Sequence, residues 1–141
     1  MKMPKARLME RIRVVNSGVP RYVQIKHQIL SMIGEGLLEP GDQLPTLREM
    51  AEAMAIDITT VKRCYDELSQ MGAVEIRRPS GTFVSAQPLP GRARTSAELR
   101  ARTHALARQT LGEAAAQGID PLALIDEMRA IAGRNEEAND G

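Results

Sequence analysis

The 141 residues predict a mainly α-helical domain closed by a small β-hairpin and followed by a two-helix C-terminal segment. Three observations carry this. Apolar residues recur at helical spacing in successive stretches, the period changes to two after Gly72, and the run Gln87-Pro88-Leu89-Pro90-Gly91 breaks regular structure between two different compositions. The three aromatics, Tyr22, Tyr65 and Phe83, all precede that break, so the first two thirds of the chain must build the core.

In chain order, residues 1–11 are basic and irregular and are expected to be mobile, after which Ile12, Val14 and Val15 suggest a short strand before the turn signal Asn16-Ser17-Gly18. Tyr22, Ile25, Ile29, Met32 and Ile33 form a helical stripe that Gly34 and Gly36 close. Glu39-Pro40-Gly41-Asp42 reads as a turn. A second helix should begin after Pro45, with Thr46 and Glu49 as a capping box and Leu47, Met50, Ala51 and Met54 facing inward. The third follows almost at once, capped by Asp57 and carrying Val61, Cys64, Tyr65 and Leu68 on one face. Val74 and Ile76 then alternate with Glu75 and Arg77, and Arg78-Pro79-Ser80-Gly81 turns the chain into Thr82-Phe83-Val84. Residues 12–86 thus form one domain and 87–94 a linker. A helix over about 96–117 starts at the box Thr95/Glu98, a last one runs from Asp120-Pro121 to a stop at Gly133, and residues 134–141 are expected to fray.

Composition excludes several classes. One cysteine (Cys64) and two histidines (His27, His104) leave no intrachain disulfide and too few ligands for a structural zinc. No apolar run approaches the roughly 18 residues of a membrane span, and no leader pattern is evident, so a cytoplasmic protein is expected. There is no His, Cys and acid set, phosphate-binding glycine loop or metal-ligand spacing, so neither an enzyme nor a cofactor is expected. Cys64 lies on an inward stripe and reads as a small hydrophobe rather than a redox sensor.

Helix, helix, tight turn, helix and hairpin is the order of a winged helix-turn-helix, whose third helix enters the DNA major groove. The glycine usual in its tight turn is replaced by Ala55, which must either avoid positive φ or tolerate strain. With Val61, Tyr65 and Leu68 inward, the third helix turns Thr59, Lys62, Arg63 and Asp66 outward. Hydroxyls and amides at a helix N-terminus bind phosphates, and Lys and Arg reach phosphates or guanine edges. Arg48 on the second helix, with Arg77 and Arg78 on the wing, flanks this face. Residues 1–90 hold 12 Lys or Arg and 10 acids, so binding must rest on arrangement and dimeric avidity rather than on net charge.

Pro20-Arg21-Tyr22-Val23-Gln24-Ile25, the run Pro40 to Ala51, Thr59-Thr60-Val61 and Gly81-Thr82-Phe83-Val84 together resemble the DNA-binding domain of GntR-family bacterial regulators. Val61 to Leu68 and the short helical tail are most similar to the YtrA subfamily, whose members carry two C-terminal helices instead of a large effector domain. The resemblance implies that Thr46 and Arg48, then Thr59, Thr60 and Lys62, and the wing tip Arg78, Ser80 and Gly81 contact DNA. Arg63 and Arg77 belong to the same cationic group. Ile58 stands where many members have Arg, or Pro in the YtrA pattern, and offers a thymine methyl an apolar contact instead of a charged one.

The expected function is a sequence-specific transcriptional regulator, a repressor, bound as a homodimer to a palindromic operator in double-stranded DNA. Leu99, Leu106, Leu111, Leu122, Ile125 and Met128 form apolar stripes on the tail, too narrow for a core of their own, and are the expected dimer contacts. The alternative is a winged-helix module that binds protein, against which Arg48, Lys62 and Arg63 weigh. A basic start, Lys2, Lys5 and Arg7, reads either as a DNA arm or as a disordered end. The sequence leaves the operator, the regulated genes and any small-molecule effector open.

Overall fold

In the computed structural model, which describes residues 3–88 and 95–139, the chain divides into two units at Pro90/Gly91. The first holds helices α1 (Lys5–Arg11), α2 (Arg21–Gly34), α3 (Leu47–Met54) and α4 (Ile58–Gln70) and strands β1 (Val74–Arg77) and β2 (Gly81–Val84). The second holds α5 (Ser96–Ala116) and α6 (Pro121–Asn139).

The apolar spacing explains the packing of the first unit. Ile25 and Ile29 of α2, Met50 of α3, and Val61, Cys64, Tyr65 and Leu68 of α4 are all buried in one core. Ala51, small and buried, stands where α3 packs on α4. The strands pair antiparallel with Val74 opposite Val84 and Ile76 opposite Thr82. Residues 41–44 pair with the other edge of β2: Gly41 N–H donates to Val84 O, Val84 N–H to Asp42 O, and Leu44 N–H to Thr82 O, each at 2.8 Å. The wing is thereby fixed to the segment that leads into α3. Gly81, at φ 130°, also meets this segment; a Cβ there would lie 2.7 Å from Gln43 Nε2, which itself donates to Ser80 O. Any other residue there would be strained by the positive φ and would have to displace the Gln43 side chain.

Three differences from the sequence reading have physical causes. Residues 5–11, expected to be mobile, are helical, and Leu8 and Ile12 are buried in the core. Residues 12–15, expected as a strand, gain no partner strand among the described residues. Instead Gln24 and Gln28, one turn apart on α2, act as side-chain surrogates for one: Val15 N–H donates to Gln24 Oε1 and Gln24 Nε2 to Val15 O, both at 2.9 Å, and Gln28 makes the same two bonds to Arg13 at 2.8 Å. Finally, α6 runs through Gly133, expected to stop it, to Asn139, because one interior glycine costs a helix only about 1 kcal/mol. Residues 1–2, 140–141 and the linker positions 89–94 lie outside the described residues.

Candidate nucleic-acid interface

The N-terminus of α3 is held by a complete capping box. Thr46 Oγ1 accepts from Glu49 N–H at 3.1 Å, and Glu49 Oε1 accepts from Thr46 N–H at 2.9 Å. The Thr46 N–H, assisted by Lys5 at 3.5 Å, keeps the Glu49 carboxyl below the usual range. The box fixes the backbone, leaving the Thr46 hydroxyl hydrogen free to donate and Arg48 exposed beside it.

A turn of three residues joins α3 to α4. Ala55 takes the left-handed conformation, φ 53° and ψ 47°, so the chain accepts strain where glycine would have none. Asp57 then caps α4 by accepting from Thr59 N–H at 3.1 Å, which holds its carboxyl below the usual range. That amide is therefore taken. The hydroxyls of Thr59 and Thr60 and the Lys62 ammonium stand beside it as further groups that could hold an anion. Ile58, 44% exposed, presents an apolar tip beside them.

α4 is anchored by its buried face. The Tyr65 hydroxyl, whose ionisation burial strongly opposes, donates to Pro45 O at 2.7 Å and ties α4 to the residue before the α3 cap. Thr46, Lys62, Arg78 and Gly81, from α3, α4 and the wing, consequently line one cleft of about 150 Å³, with Leu47, Tyr65 and Ile76 among its apolar walls. Arg48 and Arg78 make no side-chain hydrogen bond or ion pair among the described residues.

Two expected members are placed differently. Arg63 lies 4.0 Å from the centroid of the Tyr22 ring and pairs with Glu67 at 3.3 Å, so it also braces the α2–α4 contact. Arg77 pairs with Glu75 at 2.6 Å and sits over Phe83, on the hairpin itself. Lys62 does line the cleft but is paired with Asp66 at 2.7 Å. Asp66 was legible as an outward residue, but its place in the cleft, like that of Lys5 beside Glu49, depends on packing that helical spacing does not encode.

The sequence profile of the family described as "Bacterial regulatory proteins, gntR family" matches residues 21–84, the stretch that contains this cleft. The winged domain belongs to the GntR family. Over 69 residues, 49% of the chain, it is 42% identical to the uncharacterized HTH-type transcriptional regulator YhcF of Bacillus subtilis and 38% identical to the HTH-type transcriptional repressor YtrA of the same organism. Those matches cover 57% and 53% of the relatives' own lengths. YtrA from Sulfolobus acidocaldarius, a GntR-family transcription factor of known structure, is 26% identical, with a TM-score of 0.54 over 72% of this chain and 97% of that one.

Beyond the GntR domain, the tail helices expose the residues expected to pair copies of the chain. Leu99, Leu106, Leu122 and Met128 are all at least half exposed, Leu111 is exposed, and Ile125 is half-buried. Ala114 is the one buried apolar side chain among the described residues of α5 and α6. No helix among the described residues is long and apolar enough to cross a membrane.

Proposed function

We propose that the chain is a sequence-specific DNA-binding transcriptional regulator, a repressor, that binds a palindromic operator as a homodimer. The observation that carries this reading is the convergence of Thr46, Lys62, Arg78 and Gly81 from three separate elements on one cleft, with Arg48 exposed beside it. Helix α4 is the candidate reader of the major groove through Ile58, Thr59, Thr60 and Lys62, α3 a backbone clamp through Thr46 and Arg48, and the wing tip Arg78 to Gly81 a minor-groove contact. Arg63 and Arg77 support the frame. The exposed apolar stripes of α5 and α6 fit a second copy of the chain, whose two-fold symmetry an operator palindrome would mirror. The same reading places the chain in the cytoplasm with its DNA and leaves the identity or existence of a small-molecule effector open.

The test is selection of bound duplexes from a random pool, followed by affinity measurements over a range of salt. Arg48→Ala and Lys62→Ala should each lower affinity for the selected duplex, by about 1–3 kcal/mol where a base contact is lost. A chain that selects no sequence, or whose affinity ignores both substitutions, would overturn the reading and favour a protein-binding winged helix.

A further inference from the structure

The charge of the first unit is unevenly supplied. Residues 14–90 contain seven Lys or Arg against nine Asp or Glu, whereas residues 1–13 contain five against one. Within the former, Lys26, Lys62, Arg63 and Arg77 are already paired with carboxylates. The family-matched stretch 21–84 is thus, taken alone, net acidic, an unfavourable field for a polyanion. All of the excess positive charge comes from a segment outside that match.

The segment is also built into the fold. A seven-residue helix has little stability of its own, so α1 owes its order to Leu8 and Ile12 in the core, to the glutamine pair holding residues 13 and 15, and to Lys5 on Glu49. Docking leaves Arg7, Arg11 and Arg13 exposed and without ion pairs among the described residues. The three line an open hollow of about 770 Å³ whose other wall includes Ala53 and Met54, the last residues of α3 before the turn into α4. Glu10 is the one acid on its lining. Three arginines on a fixed frame, next to the helix-turn-helix turn, are placed to meet a run of phosphates.

We infer that the docked N-terminal segment is a second DNA-contacting element, in which Arg7, Arg11 and Arg13 hold backbone phosphates that flank the bases read by α4. This rests on the DNA-binding reading above and adds to it the source of the domain's non-specific affinity. Phosphate contacts made by such a frame carry no sequence information but set the salt dependence.

The test compares the full chain with its Arg7→Gln/Arg11→Gln/Arg13→Gln variant on a duplex the full chain has selected from a random pool. That duplex carries about one helical turn, roughly 10 base pairs, of flank on each side and is then trimmed. The substituted side chains are exposed, and an unchanged tyrosine-fluorescence melt verifies the fold. The slope of log affinity against log salt should flatten by about two to three, since each phosphate contact contributes about 0.9. Trimming the flanks should weaken the parent while leaving the variant nearly indifferent. A variant with the parent's slope, or one with a flatter slope but the parent's response to trimming, would overturn the inference; the second result would mark an effect of net charge alone. If Arg48→Ala still weakens binding in that event, only this inference falls. A parent chain that binds no duplex would bring down both readings.

Discussion

Tyr65→Phe removes one oxygen and tests how α4 is fastened to the α3 cap. Tyr65 is 1% exposed, and its hydroxyl donates at 2.7 Å to the carbonyl of Pro45, which is itself buried. Phenylalanine keeps the ring and its packing, so little apolar burial is lost. The hydrogen bond itself contributes about 0.5–1.5 kcal/mol net, and stranding a buried carbonyl raises the cost towards 1–3 kcal/mol. We expect a loss of about 1–2 kcal/mol, which for a domain of this size lowers the midpoint by roughly 4–8 °C per kcal/mol. Tyrosine fluorescence is the right probe because residues 91–141 contain no aromatic, so the remaining Tyr22 reports the winged domain alone. Urea titration should show a lower midpoint with an unchanged slope. A midpoint equal to the parent's would refute the claim that this bond fastens α4 to the segment entering α3.

Ala55→Gly should stabilise the winged domain by about 0.5–1 kcal/mol, because relief of an αL alanine, about 1–2 kcal/mol, exceeds the added freedom of the unfolded chain; a lower melting midpoint would contradict that. Glu49, Asp57 and Glu67 all have folded pKa values below their ordinary ones, through Thr46, Thr59 and Lys26 respectively. Their contribution is therefore complete near neutrality and is lost as pH falls through the carboxylate range into the lowered values, so Glu67→Gln should flatten the acid limb of stability against pH, and parallel curves would exclude its role. Burial pushes the Cys64 thiol up to about 12, so a thiol reagent near neutral pH should label the chain only as fast as it opens; prompt labelling of the folded protein would place Cys64 at the surface. A chain ending at Pro90 should sediment as a monomer and lose roughly 10²- to 10⁴-fold in operator affinity, and a persisting dimer would move the interface into the winged domain.

Local signals are legible in the sequence where the chemistry is local. The Thr46/Glu49 box, the Asp57 cap, the two-residue alternation of β1 and the Pro121 start of α6 each depend on residues a few positions apart. Long-range satisfaction was not legible. Residues 12–15 look like a strand because their apolar residues fit one, but their partners are two side chains on α2, and no pattern in residues 12–15 announces glutamines nine and fifteen positions from Val15 and Arg13. Likewise the basic composition of residues 1–11 masked Leu8, whose burial decides their structure. The family resemblance proposes the interface residues as a group, while their division between cleft and frame depends on packing. Arg63 and Lys62 are adjacent on α4, yet the ring of Tyr22 holds one and the cleft receives the other.

That division bears on how such a domain would separate its operator from other DNA. The pair between Lys62 and Asp66 is exposed, and exposed pairs contribute only about 0.2–1 kcal/mol, so Lys62 can exchange its carboxylate for a guanine edge or a phosphate at small cost. On the proposed reading, Asp66 would then remain in the cleft, uncompensated, beside a bound duplex. Where the correct bases give Lys62 a good partner the exchange is favourable, and where they do not, the carboxylate repels the backbone without return. If Lys62 reads bases as proposed, its pairing would lower affinity for all sequences but lower it more for the wrong ones, since specificity is a difference between affinities and a repulsive group enlarges it. The net-acidic balance of residues 14–90 has the same sense: under the proposed function it would suppress indiscriminate binding by the proposed reading surface and leave the sequence-blind attraction to cations placed elsewhere.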